Sequence, residues 1–285
     1  MRAIILFCFL SSNQHVFSQD TLTLRFSTYL GGSGYDVVRD IASDQFGNVY
    51  ITGGSQSGGI PVTAGAYDET FNNTGSPVMD AYIAKIDSSG SLVWATYLGG
   101  PDYDRAYAIE VDDSGYVYIA GRAGDNFPTT SCAVQQMFAG DNNVNPAYGS
   151  QDGFIAKLSP DGTSLIWSTY IGEASRGFIR DIDIDQQGNV YAVLTDLNQP
   201  LSHVTGNAFQ TTLQGGLDGA VIKLSPDGKN VNWGTYIGGS GDELAGPAIK
   251  ADSAGFATIV GTTSSTDIPT TVGAFDNTHN GGGED

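Results

Sequence analysis

Apolar and polar positions along the chain fall into short runs, each closed by a glycine-bearing turn, and the runs return in a fixed order. Four of them open on an aromatic ring and end at glycine, at 26–32, 94–100, 167–172 and 233–239. The shared phrase is Trp-x-Thr-Tyr-Leu-Gly-Gly, with Phe26 replacing tryptophan in the first copy and Glu173 replacing the second glycine in the third. Its anchors, Phe26, Trp94, Trp167 and Trp233, are 68, 73 and 66 residues apart. Such a period marks tandem supersecondary units that share a core with their neighbours.

Each unit carries four strand-like runs. In the second unit these are 91–98, 106–112, 116–121 and 154–158. Two kinds of turn punctuate them. Asp-x-x-Gly recurs at 44–47, 112–115, 185–188 and 252–255, with the aspartate that opens a type I turn and the glycine that takes a positive φ. A second turn recurs at 87–90, 159–162 and 225–228, and in the last two copies proline presets φ at its second position. Runs such as Tyr116-Val117-Tyr118-Ile119-Ala120 are apolar at both alternations, so both faces of the sheet must be covered. With no helical segment to do the covering, the expected fold is all-β: a β-propeller of four-stranded antiparallel blades stacked on one another. The units run over about 26–93, 94–166, 167–232 and 233–285. Asp80, Asp152 and Asp218 each precede the last strand of a unit and Asp285 stands in the same phase, so the expected ring is incomplete, its fourth unit truncated from a longer gene product.

Composition narrows the class. The 40% hydrophobic content excludes a disordered acidic tail, and the 39 glycines suit many short strands and tight turns. A formal charge of -19 argues against nucleic acid as a partner, because that contact needs lysine and arginine to displace counterions. Arg2, the apolar run 3–10 and Val16-Phe17-Ser18 before Gln19 have the form of a signal peptide over 1–18, which leaves 19–285 as a secreted or cell-surface protein. That apolar run falls well short of the roughly 20 residues of a transmembrane helix. After cleavage Cys132 is the single cysteine, so stability must come from packing.

The order Thr-Tyr-Leu-Gly-Gly, Asp-x-x-Gly-Asn-Val-Tyr, Phe-Pro-Thr-Thr with an Ala-Phe-Gln-like triplet, and Asp-Gly-Phe-Ile-Ala-Lys-Leu-Ser-Pro-Asp-Gly resembles the bacterial β-propeller repeat SBBP over nearly all of 26–285. The resemblance implies an exported or surface protein with additional carboxyl-terminal domains in the full-length product, and it implies architecture more than activity, since propellers host unrelated chemistries. The third unit departs from it twice, at Gly172-Glu173 and at Pro200-Leu201-Ser202 in place of Pro-Thr-Thr. The fourth carries one extra residue before Ile249.

No nucleophile elbow, phosphate loop or zinc-ligand spacing is present, and His203 and His279 have no second histidine or cysteine at ligand distance in sequence. No cofactor is expected, with one candidate exception: Asp181, Asp183 and Asp185 alternate along one strand and could collect calcium, against a simpler role as a solvated strand with a turn cap. Lys85, Lys157 and Lys223 recur in one strand and could contact an anion or simply lay their stems over apolar surface. Trp94, Trp167 and Trp233 could stack on sugars, but their repetition favours packing. Cys132 reads as a bystander thiol, and Asn72-Asn73-Thr74 is an acceptor triplet compatible with surface exposure that does not by itself indicate glycosylation. The function expected is non-enzymatic binding, adhesion or scaffolding of a protein or glycan through the long connections between units. The alternative is a carbohydrate hydrolase or lyase using Asp36, Asp104 and Asp242 just after the glycine pairs.

Overall fold

The computed structural model describes residues 4–10, 23–72, 79–140, 148–243 and 246–281, with only the backbone described for 4–10 and 23. Strands β1 (Ile4–Leu10) and β2 (Thr23–Leu30) pair antiparallel. Three four-stranded antiparallel sheets follow in chain order: β3 (Asp36–Ser43) to β6 (Leu92–Leu98) through β4 (Val49–Ser55) and β5 (Asp80–Ile86); β7 (Arg105–Val111) to β10 (Leu165–Ile171) through β8 (Val117–Ala123) and β9 (Asp152–Leu158); and β11 (Phe178–Ile184) to β14 (Val231–Ile237) through β12 (Val190–Leu197) and β13 (Asp218–Leu224). The pair β15 (Ala248–Ala251) and β16 (Ala257–Val260) begins a fourth sheet, and no helix occurs among the described residues. First strands β3, β7, β11 and β15 adjoin in succession. They are therefore the inner strands of blades, and β6, β10 and β14 are the outer ones.

Each aromatic-led phrase forms the outer strand of a blade rather than the first strand of its own. A unit counted from its anchor, such as 94–166, therefore runs from the outer strand of one blade to the third strand of the next. The glycine pair that ends the phrase is the crossover between blades. Strand β1 stands on β2 as β5 stands on β6: Ile4 pairs with Leu30 and Cys8 with Phe26, as Ala81 pairs with Leu98 and Lys85 with Trp94. The expected leader overlaps this strand, while its cleavage residues 16–18 lie outside the described residues, as do Asn73, Thr74 and Asp285.

The turns form for the reason their composition suggests. Asp44 Oδ1 accepts from the amides of Phe46 and Asn48, both at 2.9 Å, and Gly47 takes φ 77°. Asp112, Asp185 and Asp252 repeat the arrangement. Adjacent blades pack face to face: β4 and β8 are buried at every position, and one apolar cluster joins Tyr50, Ile83 and Trp94 of the first blade to Ile109, Ile119 and Phe154 of the second. Another joins Tyr118, Ile155 and Trp167 to Ile182 and Leu194 of the third.

The tryptophans lock this stack. Trp94 meets Tyr50 edge-on at 6.4 Å, and its Nε1 donates to Pro160 O of the following blade at 2.9 Å. Trp167 repeats both contacts with Tyr118 and Pro226 O. Each indole covers the glycine of the Pro-x-Gly turn so closely that a Cβ on Gly162 or Gly228 would lie 2.5 Å from the ring. Trp94 and Trp167 are thus buried packing elements, and no sugar can stack on either.

The long connection of each blade, between its second and third strands, turns back along the outer strand. Thr63 N donates to Ala95 O at 3.1 Å and Tyr97 N to Asp68 O at 3.0 Å. Thr130 with Ser168, and Tyr170 with Gln135, repeat the pattern. In the third blade Thr205 pairs with Gly234 and Tyr236 with Gln210, so the phrase missing from that unit is present with one residue inserted, from Leu201 to Thr205. The recurring part of the connection satisfies the outer edge, which would otherwise offer unpaired backbone groups to another chain.

Candidate functional site

Each inner strand carries one extra residue relative to its partner. The ladder skips Arg39 between Val38 and Asp40, Tyr107 between Ala106 and Ala108, and Arg180 between Ile179 and Asp181. Such a bulge re-aims the side chain it frees. In the first two blades the partner strand supplies glycine opposite the bulge, where a Cβ on Gly53 would lie 1.9 Å from Val37 O and one on Gly121 2.1 Å from Arg105 O. Because the bulges stand at the same level in adjacent blades, Arg39 and Arg180 flank Tyr107 from either side, at 5.6 and 5.0 Å from its ring centre.

Two more guanidinium groups join them. Arg105 and Arg122, paired across β7 and β8, lie 5.4 and 5.7 Å from the same ring. Arg122 also stands over Tyr148 at 4.4 Å, Tyr103 at 4.9 Å and Phe178 at 5.0 Å. Arg105 and Arg122 are 7% and 6% exposed. Burial and the charge of Arg105 together lower the pKa of Arg39. Among the described residues, Arg180 has an ion pair with Asp196 at 3.4 Å, whereas Arg39, Arg105 and Arg122 have none. Four cations therefore meet around one aromatic ring at the end of the inner strands from which the long connections leave.

The opposite end is acidic. Lys250 Nζ reaches Glu110 Oε1 at 2.6 Å and Asp183 Oδ1 at 3.0 Å, tying β15 to the two preceding blades. A groove of about 520 Å³ between the second and third blades is lined there by Glu110, Asp112, Asp183 and Asp185 with Lys157 and Tyr118. The three aspartates considered for calcium have separate partners. Asp181 Oδ2 accepts from Ile249 N at 2.8 Å, Asp183 Oδ2 from Ala251 N at 2.6 Å, and Asp185 caps its turn and pairs with Lys223 at 3.0 Å. Burial raises the pKa of Asp181. No group of three or more potential metal ligands is assembled among the described residues.

The candidate carboxylates Asp36, Asp104 and Asp242 are dispersed, each in a crossover. Asp36 accepts from Gly32 N and Ser55 Oγ. Asp104 is fully buried and accepts from Gly100 N at 2.6 Å and Gly124 N at 3.0 Å. Burial holds its carboxyl well above the ordinary range despite those donors, and neighbouring Asp80 adds to the effect. In the fourth unit the place four residues after the second glycine, held by Asp36 and Asp104 in their crossovers, belongs to Glu243, which accepts from Gly239 N at 3.0 Å, while Asp242, one position earlier, is exposed and accepts from Leu217 N.

Lys85, Lys157 and Lys223 lie over the tyrosines of their own blades, at 4.9 Å from the ring of Tyr50, 4.5 Å from Tyr118 and 4.5 Å from Tyr191. Lys157 donates to Tyr118 Oη and Lys223 to Tyr191 Oη. Their stems pack and two of their charges are used internally. The two departures of the third unit meet: Glu173 accepts from Ser202 N at 2.9 Å and from Ser202 Oγ, with His203 Nε2 at 3.6 Å, beyond hydrogen-bond range. Burial lowers the pKa of His203. Cys132 is exposed and unpaired by any disulfide among the described residues.

The arginine cluster had a signal in the sequence. Arg39, Tyr107 and Arg180 each stand five positions before a turn aspartate, Asp44, Asp112 and Asp185. Their convergence depends on the bulge, which that count does not reveal.

Comparison with family models matches residues 25–61 and 93–128 to SBBP, the beta-propeller repeat. Both matches begin at an anchor strand and continue through the first two strands of the next blade. Comparison with curated proteins finds no match.

Proposed function

This is a protein of SBBP β-propeller repeats, and on that premise we propose that it is an exported, non-enzymatic binding scaffold of the bacterial cell surface. The observation that supports this reading is the state of its carboxylates. Asp36 and Asp104 hold crossover amides of their own blades, and Asp242 lies outside the position that Glu243 fills. Glycoside hydrolysis needs two carboxyl groups free to face one bond, about 5 to 10 Å apart. Side chains already engaged by backbone donors in separate crossovers do not supply that pair.

Because the recurring part of each long connection is spent on the outer edge, the surface left for recognition is its non-recurring part together with the mouth of the inner strands. A glycan and protein array with the full chain, run beside a turnover assay on the same polysaccharides, tests the reading. Saturable capture without product supports it. Product formation that Asp36→Asn or Asp104→Asn abolishes would overturn it in favour of a hydrolase or lyase. Export is supported by Arg2 and the apolar run 3–10. Amino-terminal sequencing of the secreted protein is expected to begin at Gln19, a cleavage that removes β1 and opens the edge of β2.

A further inference from the structure

We propose that Arg39, Arg105, Arg122 and Arg180, gathered around Tyr107, form a binding site for an oxyanion group: a sulfate, phosphate or carboxylate, free or carried on an acidic glycan. The proposal rests on the binding-scaffold reading and names a ligand class for it.

These guanidinium groups hold unspent hydrogen-bonding capacity. A guanidinium has five N–H donors. Arg105 makes one long contact, from Nη1 to Tyr103 Oη at 3.4 Å, and its Nε and Nη2 are buried with no partner. Nε of Arg122 is likewise buried and unpartnered. The aromatic rings account for the faces of these groups. They do not account for the N–H edges, and leaving such donors buried and unmatched is costly.

Their charge is unmatched as well. The chain has 31 acidic residues against 12 basic ones, yet Arg39, Arg105 and Arg122 have no carboxylate partner among the described residues. Like charges held around one ring repel, and a buried arginine without a counter-charge is the arrangement that folding avoids. An arriving anion would supply the missing charge and accept from the planar N–H forks, the pairing for which arginine is suited over lysine.

Their placement converges. Three bulges at one level, two of them backed by Gly53 and Gly121, turn Arg39, Tyr107 and Arg180 out of their ladders toward a common point. Bulges are over-represented at sheet edges, at rims and next to active sites, where they re-aim a side chain. The four arginines and Tyr107 all belong to the first three blades.

The test is titration of the full chain with sodium sulfate and with sodium phosphate at constant ionic strength, read by calorimetry and by the thermal midpoint, with sodium chloride as reference. Saturable binding with a Kd of about 1 mM or tighter is expected. Arg39→Gln and Arg180→Gln, both outside the deeply buried set, are expected to weaken it several-fold. Arg105→Met and Arg122→Met should weaken it by at least about tenfold while leaving the midpoint without anion equal or higher, because each removes an unpaired buried charge. A sulfated or uronic oligosaccharide competing at lower concentration than the inorganic ion would identify a glycan source; equal potency of the inorganic ion would identify a free anion. Absence of saturable binding, or binding that all four variants retain, would overturn the proposal. So would a lowered anion-free midpoint in both methionine variants with binding unchanged, since that is the behaviour of structural arginines. Capture of a neutral glycan or a protein on the array with no response to anions would sink this site and leave the binding-scaffold reading standing.

Discussion

At the scale of the residue, the repeated side chains are chiefly architectural. Trp167 fills a slot made by Tyr118 on its own blade and Gly228 on the next. Truncating a buried aromatic costs about 3–5 kcal/mol, so Trp167→Ala is expected to lose that much in urea unfolding, and Trp94→Ala a similar amount. Asp104 behaves differently. Its folded pKa is raised by burial above the unfolded value, so the folded state holds a proton that the unfolded state releases as pH climbs above the ordinary carboxylate range. Stability from this group is present at low pH and is lost as pH rises toward its folded pKa, by up to about 1.4 kcal/mol per pH unit. A carboxyl carbon titration by NMR should find Asp104 with a midpoint well above that of exposed Asp161, whose own carboxyl is held below the usual value by Ser159 and Thr163. An ordinary midpoint for Asp104 would refute this.

At the scale of the element, the long connections are edge covers before they are anything else. Thr130 shows how: its Oγ1 donates to Ser168 O and accepts from Ser168 N, sealing the open side of β10. Thr130→Val keeps the shape and removes both hydrogen bonds, and is expected to cost about 1–3 kcal/mol in chemical denaturation and to raise self-association by light scattering as the strand edge opens. The sequence carried most of this level. Anchor spacing, the Asp-x-x-Gly and Pro-x-Gly turns, and doubly apolar strands specify antiparallel strands covered on both faces, and those strands are present. Three things were not legible. The blade boundary falls after the glycine pair rather than before the tryptophan, because hydrogen-bond pairing, unlike periodicity, has a starting point. The third unit keeps its edge phrase through Thr205, since one inserted residue hides it from position counting. Glu173 and Ser202, apparently separate departures 29 positions apart, compensate each other directly.

At the scale of the whole molecule, the chain is a stack of blades with an electrostatic polarity: arginines at the end where the long connections leave, and Glu110, Asp183 and Lys250 at the end of the Asp-x-x-Gly turns. Asp181 and Asp183 act within that stack as seams between blades, and Asp185 caps a turn of its own blade. A ligand stabilises a fold only as far as it binds the native state, and these carboxylates offer calcium no assembled site, so calcium is expected to shift the thermal midpoint by less than about 1 °C relative to chelator. A saturable upward shift of several degrees would restore the calcium reading.

Local chemistry determined the strands, their turns, the two buried faces and the tandem order, because each depends on residues near one another along the chain. Which groups meet around Tyr107 was decided only by tertiary structure. Arg39 and Arg180 are 141 positions apart, and what brings them to one ring is a bulge at matching height in neighbouring blades, a property of how strands pair and sheets stack.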